Sequence, residues 1–181
     1  MFSLLHGLWN HVFSKTEFRV LILGVHKAGK TTLLEKLKSI YLKGGLPHDR
    51  IGPTVGLNIG RIEDANVKLV FWDLGGQPGL RTIWEKYYDE AHAIVYVIDS
   101  ASASTFEDAK SALEKVLRHE DLQEAPLLVF ANKQNRIYQQ LSQKKNWTDI
   151  FTLKSLMRGH ICLLRDLHMM GRGSNWVSTG W

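Results

Sequence analysis

Cysteine occurs once, at Cys162, so no internal disulfide is available and a reducing, cytosolic compartment is expected. No apolar run approaches the roughly 20 residues a bilayer-spanning helix needs, which points to a soluble or peripheral protein. The first residues lack a basic stretch followed by an apolar core and a small-residue cleavage site, the pattern of a secretory leader. Position 2 holds Phe2 rather than glycine, so the N-myristoylation signal is absent. Disorder is disfavoured too: 44% of the 181 residues are hydrophobic, enough for one domain with a real core.

A net charge of +5 would ordinarily suggest nucleic acid or anionic lipid. Its location argues otherwise. From Asn135 onward there are seven Lys and Arg against Asp149 and Asp166, and the rest of the chain is neutral. The basic balance belongs to the tail, and no nucleic-acid site is read from it.

In residues 1–15, Phe2, Leu5, Leu8, Trp9, Val12 and Phe13 recur at helical spacing. This amphipathic helix either packs on its own domain or lies in a membrane interface. Residues 18–23 form a short apolar run of buried-strand type, and 31–41 read as a helix with Leu33, Leu34 and Leu37 inward. Residues 57–62 and 67–71 alternate as a hairpin around Asp64, Ala65 and Asn66. Two more buried runs, 93–98 and 127–131, flank a helical pattern over 105–117. Strands alternating with helices predict an α/β fold, a mostly parallel sheet with helices on both faces.

The chemistry begins at Gly24-Val25-His26-Lys27-Ala28-Gly29-Lys30-Thr31, which fits G-x-x-x-x-G-K-[ST] between a predicted strand and a predicted helix. Such a loop aims successive backbone N–H groups at a phosphate, where the helix N-terminus adds a favourable dipole. Lys30 is expected to pair with the β- and γ-phosphates and Thr31 to offer a hydroxyl to Mg²⁺. Further on, Asp73-Leu74-Gly75-Gly76-Gln77 follows the next strand. There Asp73 would hold Mg²⁺ through water, the Gly76 N–H would sense a γ-phosphate, and Gln77 would orient the attacking water. Thr54, between the two motifs, is placed to give Mg²⁺ a second hydroxyl. Without the phosphate loop, D-x-x-G describes an ordinary turn, and a lone threonine says little.

Asn132-Lys133-Gln134 follows the 127–131 run, and together these motifs resemble the Arf/Arl small GTPases, a P-loop NTPase family. The Met-Phe start, Gly56-Leu57-Asn58-Ile59-Gly60 and Phe71-Trp72-Asp73-Leu74-Gly75-Gly76-Gln77 are most similar to the Arf-related branch. The resemblance covers residues 1–134. It implies a GTP/GDP switch with Mg²⁺, with nucleotide contacts extending to His26, Lys27, Ala28, Thr32, Asn132, Lys133 and position 135. It implies an N-terminal helix released to the membrane on GTP binding, as the hairpin over 57–71 shifts register. Leu57, Trp72 and Tyr87 would form an exposed apolar effector surface. A cytoplasmic monomer, peripheral at Golgi membranes in vesicle traffic, would work with an exchange factor, a GTPase-activating protein and effectors. An acetylated N-terminal methionine would replace the lipid. A P-loop kinase, the alternative, is disfavoured by Gln77 and the Asn132-Lys133 pair.

Three departures stand out. His26 replaces the family's aspartate in the phosphate loop. Asn135 replaces the aspartate of N-K-x-D, whose two acceptors match guanine N1–H and the 2-amino group; an amide meets one base donor with a donor of its own. Finally, nothing after Asn135 reads as the helix, strand and helix the family carries there. Starting each codon one base earlier lets residues 137–150 encode Asp-Leu-Pro-Thr-Ala-Val-Ser-Glu-Glu-Glu-Leu-Asp-Arg-Tyr, and 168–176 encode a stretch containing Tyr-Asp-Gly-Lys-Gly-Ile-Lys-Leu. Both look like family sequence. The expected organisation is therefore a helix at 1–15, a G domain over 16–134 and a frame-shifted tail over 135–181, with a divergent true subdomain as the alternative. On the first view the fold is incomplete, and the chain is impaired in nucleotide binding or acts only as a binding module.

Overall fold

The computed structural model describes residues 15–64 and 66–133 and the backbone of 161–165. The strands are β1 (Thr16–Leu23), β2 (Leu57–Asp64), β3 (Val67–Leu74), β4 (Ala93–Asp99), β5 (Leu127–Asn132) and β6 (Ile161–Arg165). Helix α1 spans Lys30–Leu42, α2 spans Phe106–Arg118, and a 3₁₀ segment runs over Pro78–Tyr87. The strands form one sheet in the order β2-β3-β1-β4-β5-β6. Among the described strands only β2 is antiparallel, joined to β3 as the expected hairpin with Leu57 opposite Leu74 and Asp64 opposite Val67.

Sequence dictates this layering. β1 ends in Leu21, Ile22 and Leu23, all fully buried, as a central strand covered on both faces must be. Helix α1 crosses β2 at Gly60, where any Cβ would press on Leu34 Cδ1 at 2.6 Å. Helix α2 lies on the opposite face, where the Tyr96 hydroxyl donates to the Ala109 carbonyl at 2.7 Å. Its buried residues Ala109, Ala112, Leu113, Val116 and Leu117 follow the helical period. The boundaries expected from sequence hold to within a few residues.

One expectation is corrected. The tail supplies a strand: β6 pairs in parallel with β5, Leu127 opposite Ile161 and Ala131 opposite Arg165. Its run Ile161-Cys162-Leu163-Leu164 is apolar enough for an outer strand, although it is too short to declare itself in a tail without clear period. The helix expected over 1–15 and the remainder of the tail lie outside the described residues.

Candidate nucleotide site

The parallel strands β1, β3, β4 and β5 bring their carboxyl ends to the site, the usual position for ligands in an open α/β sheet, and antiparallel β2 adds its amino end. β1 runs into a loop that needs left-handed backbone at Gly24 (φ 139°), Lys27 (φ 62°) and Gly29 (φ 97°). Gly24 has no alternative, because a Cβ there would overlap the Val97 carbonyl on β4. Lys30, the first residue of α1, is 6% exposed and folds back so that Nζ donates to the Val25 carbonyl at 3.1 Å. Burial outweighs the attraction of Asp73 and pulls its pKa down to about 8. An ammonium buried in a loop of backbone N–H groups at a helix N-terminus is a seat for an anion. His26 is half-buried on the same loop, and its imidazole is pushed below the ordinary range by burial, Lys27 and Lys30. Thr32 lies in the first turn of α1.

Beside this seat, three oxygens expected to hold a cation converge. Thr31 Oγ1 lies 2.6 Å from Thr54 Oγ1 and donates to Asp73 Oδ2 at 2.6 Å; Thr54 Oγ1 is 3.3 Å from the same carboxylate oxygen. Asp73 is fully buried, its pKa is raised by that burial, and its Oδ1 has no hydrogen-bond partner. A buried carboxylate with an orphaned oxygen beside two hydroxyls is hard-oxygen chemistry and fits Mg²⁺, which keeps several waters and takes few protein ligands. Bound there, Mg²⁺ would neutralise phosphate charge. Asn58 Nδ2 also reaches Asp73 Oδ2, at 3.4 Å.

The turn after β3 closes the phosphate end. The Gly75 N–H donates to the Gly56 carbonyl at 2.9 Å, tying it to the loop that carries Thr54. Gly76 packs so tightly on Gly24, Val25 and the Lys30 ammonium that no side chain fits. Gln77 stands half-buried at the entrance to Pro78–Tyr87, and Trp84 Nε1 reaches back to the Gly75 carbonyl at 2.9 Å.

At the base end, Asn132 Nδ2 donates to the Ala28 carbonyl at 2.9 Å, and Asn132 Oδ1 accepts the Lys133 N–H at 2.9 Å. Lys133 Nζ donates to the Lys27 carbonyl at 2.6 Å and pairs with Asp99 Oδ2 at 2.8 Å. Gly29 is the joint between the two ends, since a Cβ there would collide with the Asn132 amide. Asn135 lies outside the described residues. Sequence reasoning missed Asn58 and Asp99. Each was findable: Asn58 is the inward residue of an alternating strand, and Asp99 ends β4 opposite Asn132.

This arrangement has known counterparts. The sequence matches the model of the ADP-ribosylation factor family over residues 4–177. The chain belongs to the ADP-ribosylation factor family. The match runs past residue 134, where the motif resemblance stops, and so takes in β6. "ADP-ribosylation factor-related protein 1" of Rattus norvegicus is 47% identical over 137 residues, 75% of this chain and 68% of the relative. "ADP-ribosylation factor-like protein 3" of Saccharomyces cerevisiae is 40% identical over 137 residues, 75% of this chain and 69% of the relative. The solved structure of the Arl6 BBS3 small GTPase from Trypanosoma brucei, with bound nucleotide analogue GppNp, superposes with a TM-score of 0.68 at 28% identity, covering 87% of this chain and 91% of that one. The fold is thus that of a small GTPase, and a GTP-binding switch is the activity family membership supports.

Away from the nucleotide site, Trp72 and Tyr87 meet edge to face with ring centroids 5.3 Å apart, and Arg19 lies over the Trp72 ring at 5.7 Å. Strand register puts Leu57, Ile59 and Trp72 on one face of the hairpin. Leu57, Trp72 and Tyr87 are half-buried against the core, whereas Ile59 is 41% exposed. The three residues expected to be exposed are thus only partly so, and Ile59 adds an exposed apolar group on the hairpin face of Leu57 and Trp72.

Proposed function

We propose that this chain hydrolyses GTP with Mg²⁺ and alternates between a GTP form that engages effectors and a GDP form that does not. The observation that carries the reading is the convergence of Thr31, Thr54 and Asp73 beside Lys30 and Gly76. Thr54 comes from a loop remote in sequence from both motifs, and the approach of its hydroxyl to Thr31 and Asp73 supports a site for a cation and a terminal phosphate. Lys30 would pair with that phosphate, the Gly76 N–H would face it, and Gln77 would orient water for in-line attack. Gln77→Leu should slow single-turnover hydrolysis about a hundredfold, as expected for loss of a group that acts in the transition state, with GTP affinity unchanged. Unchanged turnover would refute the role given to Gln77.

The setting is proposed as peripheral, at Golgi membranes, through residues 1–15, with exchange factor, GTPase-activating protein and effectors of the Arf kind. The apolar pattern of the first 15 residues supports it. Among the described residues no helix is long and apolar enough to cross a membrane. A second reading, a binding module impaired in nucleotide recognition, is favoured by one observation, the amide at Asn135.

A further inference from the structure

The segment after Gln77 carries an arginine that the mechanism above does not use. Arg81 is 18% exposed, and its guanidinium makes three bonds with two different partners. Nε donates to the Gly76 carbonyl at 3.1 Å; Nη1 and Nη2 donate to Asp108 Oδ1 and Oδ2 at 2.7 and 2.6 Å. Asp108 sits in the first turn of α2, where the helix dipole favours a carboxylate. The pair holds its carboxyl below the ordinary range.

The atom that Arg81 grips decides what the grip can do. The Gly76 carbonyl belongs to the Gly76–Gln77 peptide, so fixing it fixes that plane and the direction in which the Gln77 side chain sets out. Gly76 is pressed on Gly24, Val25 and Lys30 on one side and held by Arg81 on the other. A lone arginine would lose several rotors to make one such bond. The bidentate pair with Asp108 has already ordered the guanidinium, so little remains to be lost when Nε meets the carbonyl. α2, anchored on β4 through Tyr96 and Ala109, thereby becomes the reference frame for the turn.

We propose that Arg81, braced by Asp108, is the positioning residue that holds the Gly76–Gln77 peptide in its triphosphate-competent orientation, making hydrolysis depend on the register between α2 and the turn. This rests on the GTP-hydrolysing role proposed above. Arg81 acts through Gly76 and Gln77 and is not itself a catalytic residue. A lysine cannot replace it, because a point charge cannot bridge a carboxylate and a carbonyl in one plane.

The full-length chain and its Arg81→Lys, Arg81→Ala, Asp108→Asn and Asp108→Glu variants provide the test, by single-turnover hydrolysis and by affinities for GDP and GppNp. Arg81→Lys, Arg81→Ala and Asp108→Asn should each slow hydrolysis about tenfold or more and weaken GppNp several-fold relative to GDP, the scale of a misplaced catalytic group. Asp108→Glu, which keeps the fork, should restore most of the rate. Loss of rate in strict proportion to loss of thermal stability, with the GppNp to GDP ratio unmoved, would reduce the clamp to scaffolding and overturn the proposal. Wild-type chain that neither binds nor hydrolyses GTP would instead sink the parent reading. Hydrogen exchange in the nucleotide-free chain decides the clamp in that case: Arg81→Ala should speed exchange of the amides of Gly75, Gly76, Gln77, Gly79 and Leu80, and unchanged exchange would show that no clamp exists.

Discussion

The two ends of the nucleotide site are built to different standards. At the phosphate end, described residues from four parts of the chain close on each other within hydrogen-bond distance: the loop after β1, the loop carrying Thr54, the end of β3 and the turn at Gly76. At the base end, Asn132 and Lys133 are equally well tethered, to Ala28, Lys27 and Asp99. Yet the next group expected to face the base is Asn135, an amide where the resemblance leads one to expect a carboxylate. The phosphate loop itself is made mostly of backbone N–H groups and one fixed ammonium, so it tolerates wide sequence change so long as its glycines, its lysine and the Thr31 hydroxyl are kept. Base recognition depends on the donor and acceptor pattern of a few side chains, and one substitution inverts part of it.

The comparison breaks most visibly if the phosphate end is disabled. Lys30→Ala should lower GTP affinity at least about a hundredfold, near 3 kcal/mol, since it removes the buried cation proposed to pair with phosphate. Near-normal binding in that variant would mean the ligand sits elsewhere. Asn132→Ala strikes the joint between the ends. It strands the Ala28 carbonyl and frees Lys133, and it should cost about tenfold in affinity for GTP and GDP alike, the scale of one unmade buried bond. A loss confined to one nucleotide in calorimetric titrations would show that the two ends are not mechanically joined.

The smallest effect concerns the brace behind the phosphate end. Arg81 lowers the pKa of Asp108 in the folded state, so the pair stabilises the chain at pH values above the ordinary carboxylate range. That contribution is lost as pH falls through the lowered folded value. Because Asp108 is half exposed, the amount is below about 1 kcal/mol. Urea melts between pH 6 and pH 3 should show a slightly steeper acid loss in the parent chain than in Asp108→Asn. Identical pH profiles would mean that solvent screens the pair completely.

Much of the phosphate end was legible because its requirements are local. Four residues of the phosphate loop do what few residue types can do there: Gly24 and Gly29 by backbone angle and space, Lys30 by charge, Thr31 by a short hydroxyl. Strand and helix boundaries followed from runs such as 18–23, whose neighbours on both faces are apolar. What escaped notice is non-local. Arg81 and Asp108 are 27 residues apart and carry no motif, so only the packing of α2 reveals their bond. Asp99 acquires a role through Lys133, on the neighbouring strand's end. β6 was missed because five residues in an outer position need only a brief apolar run, which an aperiodic basic tail conceals. Ile59 was passed over because alternation alone does not say which face of a hairpin meets solvent.

We propose a chain with a working phosphate and magnesium end and a base end weakened from Asn135 onward. Fluorescent GTP should be titrated, with Mg²⁺, into the full-length chain and into a chimera whose residues after Gln134 come from the rat relative. The chimera should bind at least about tenfold more tightly, because about 1.4 kcal/mol gives that factor and a mispaired buried polar group costs that or more. Asn135→Asp alone should recover little, since the resemblance implies that a loop from the family's C-terminal part also contacts the base. Equal affinities of the two full-length proteins would contradict the account and make residues 135–181 a functioning alternative to the family's own.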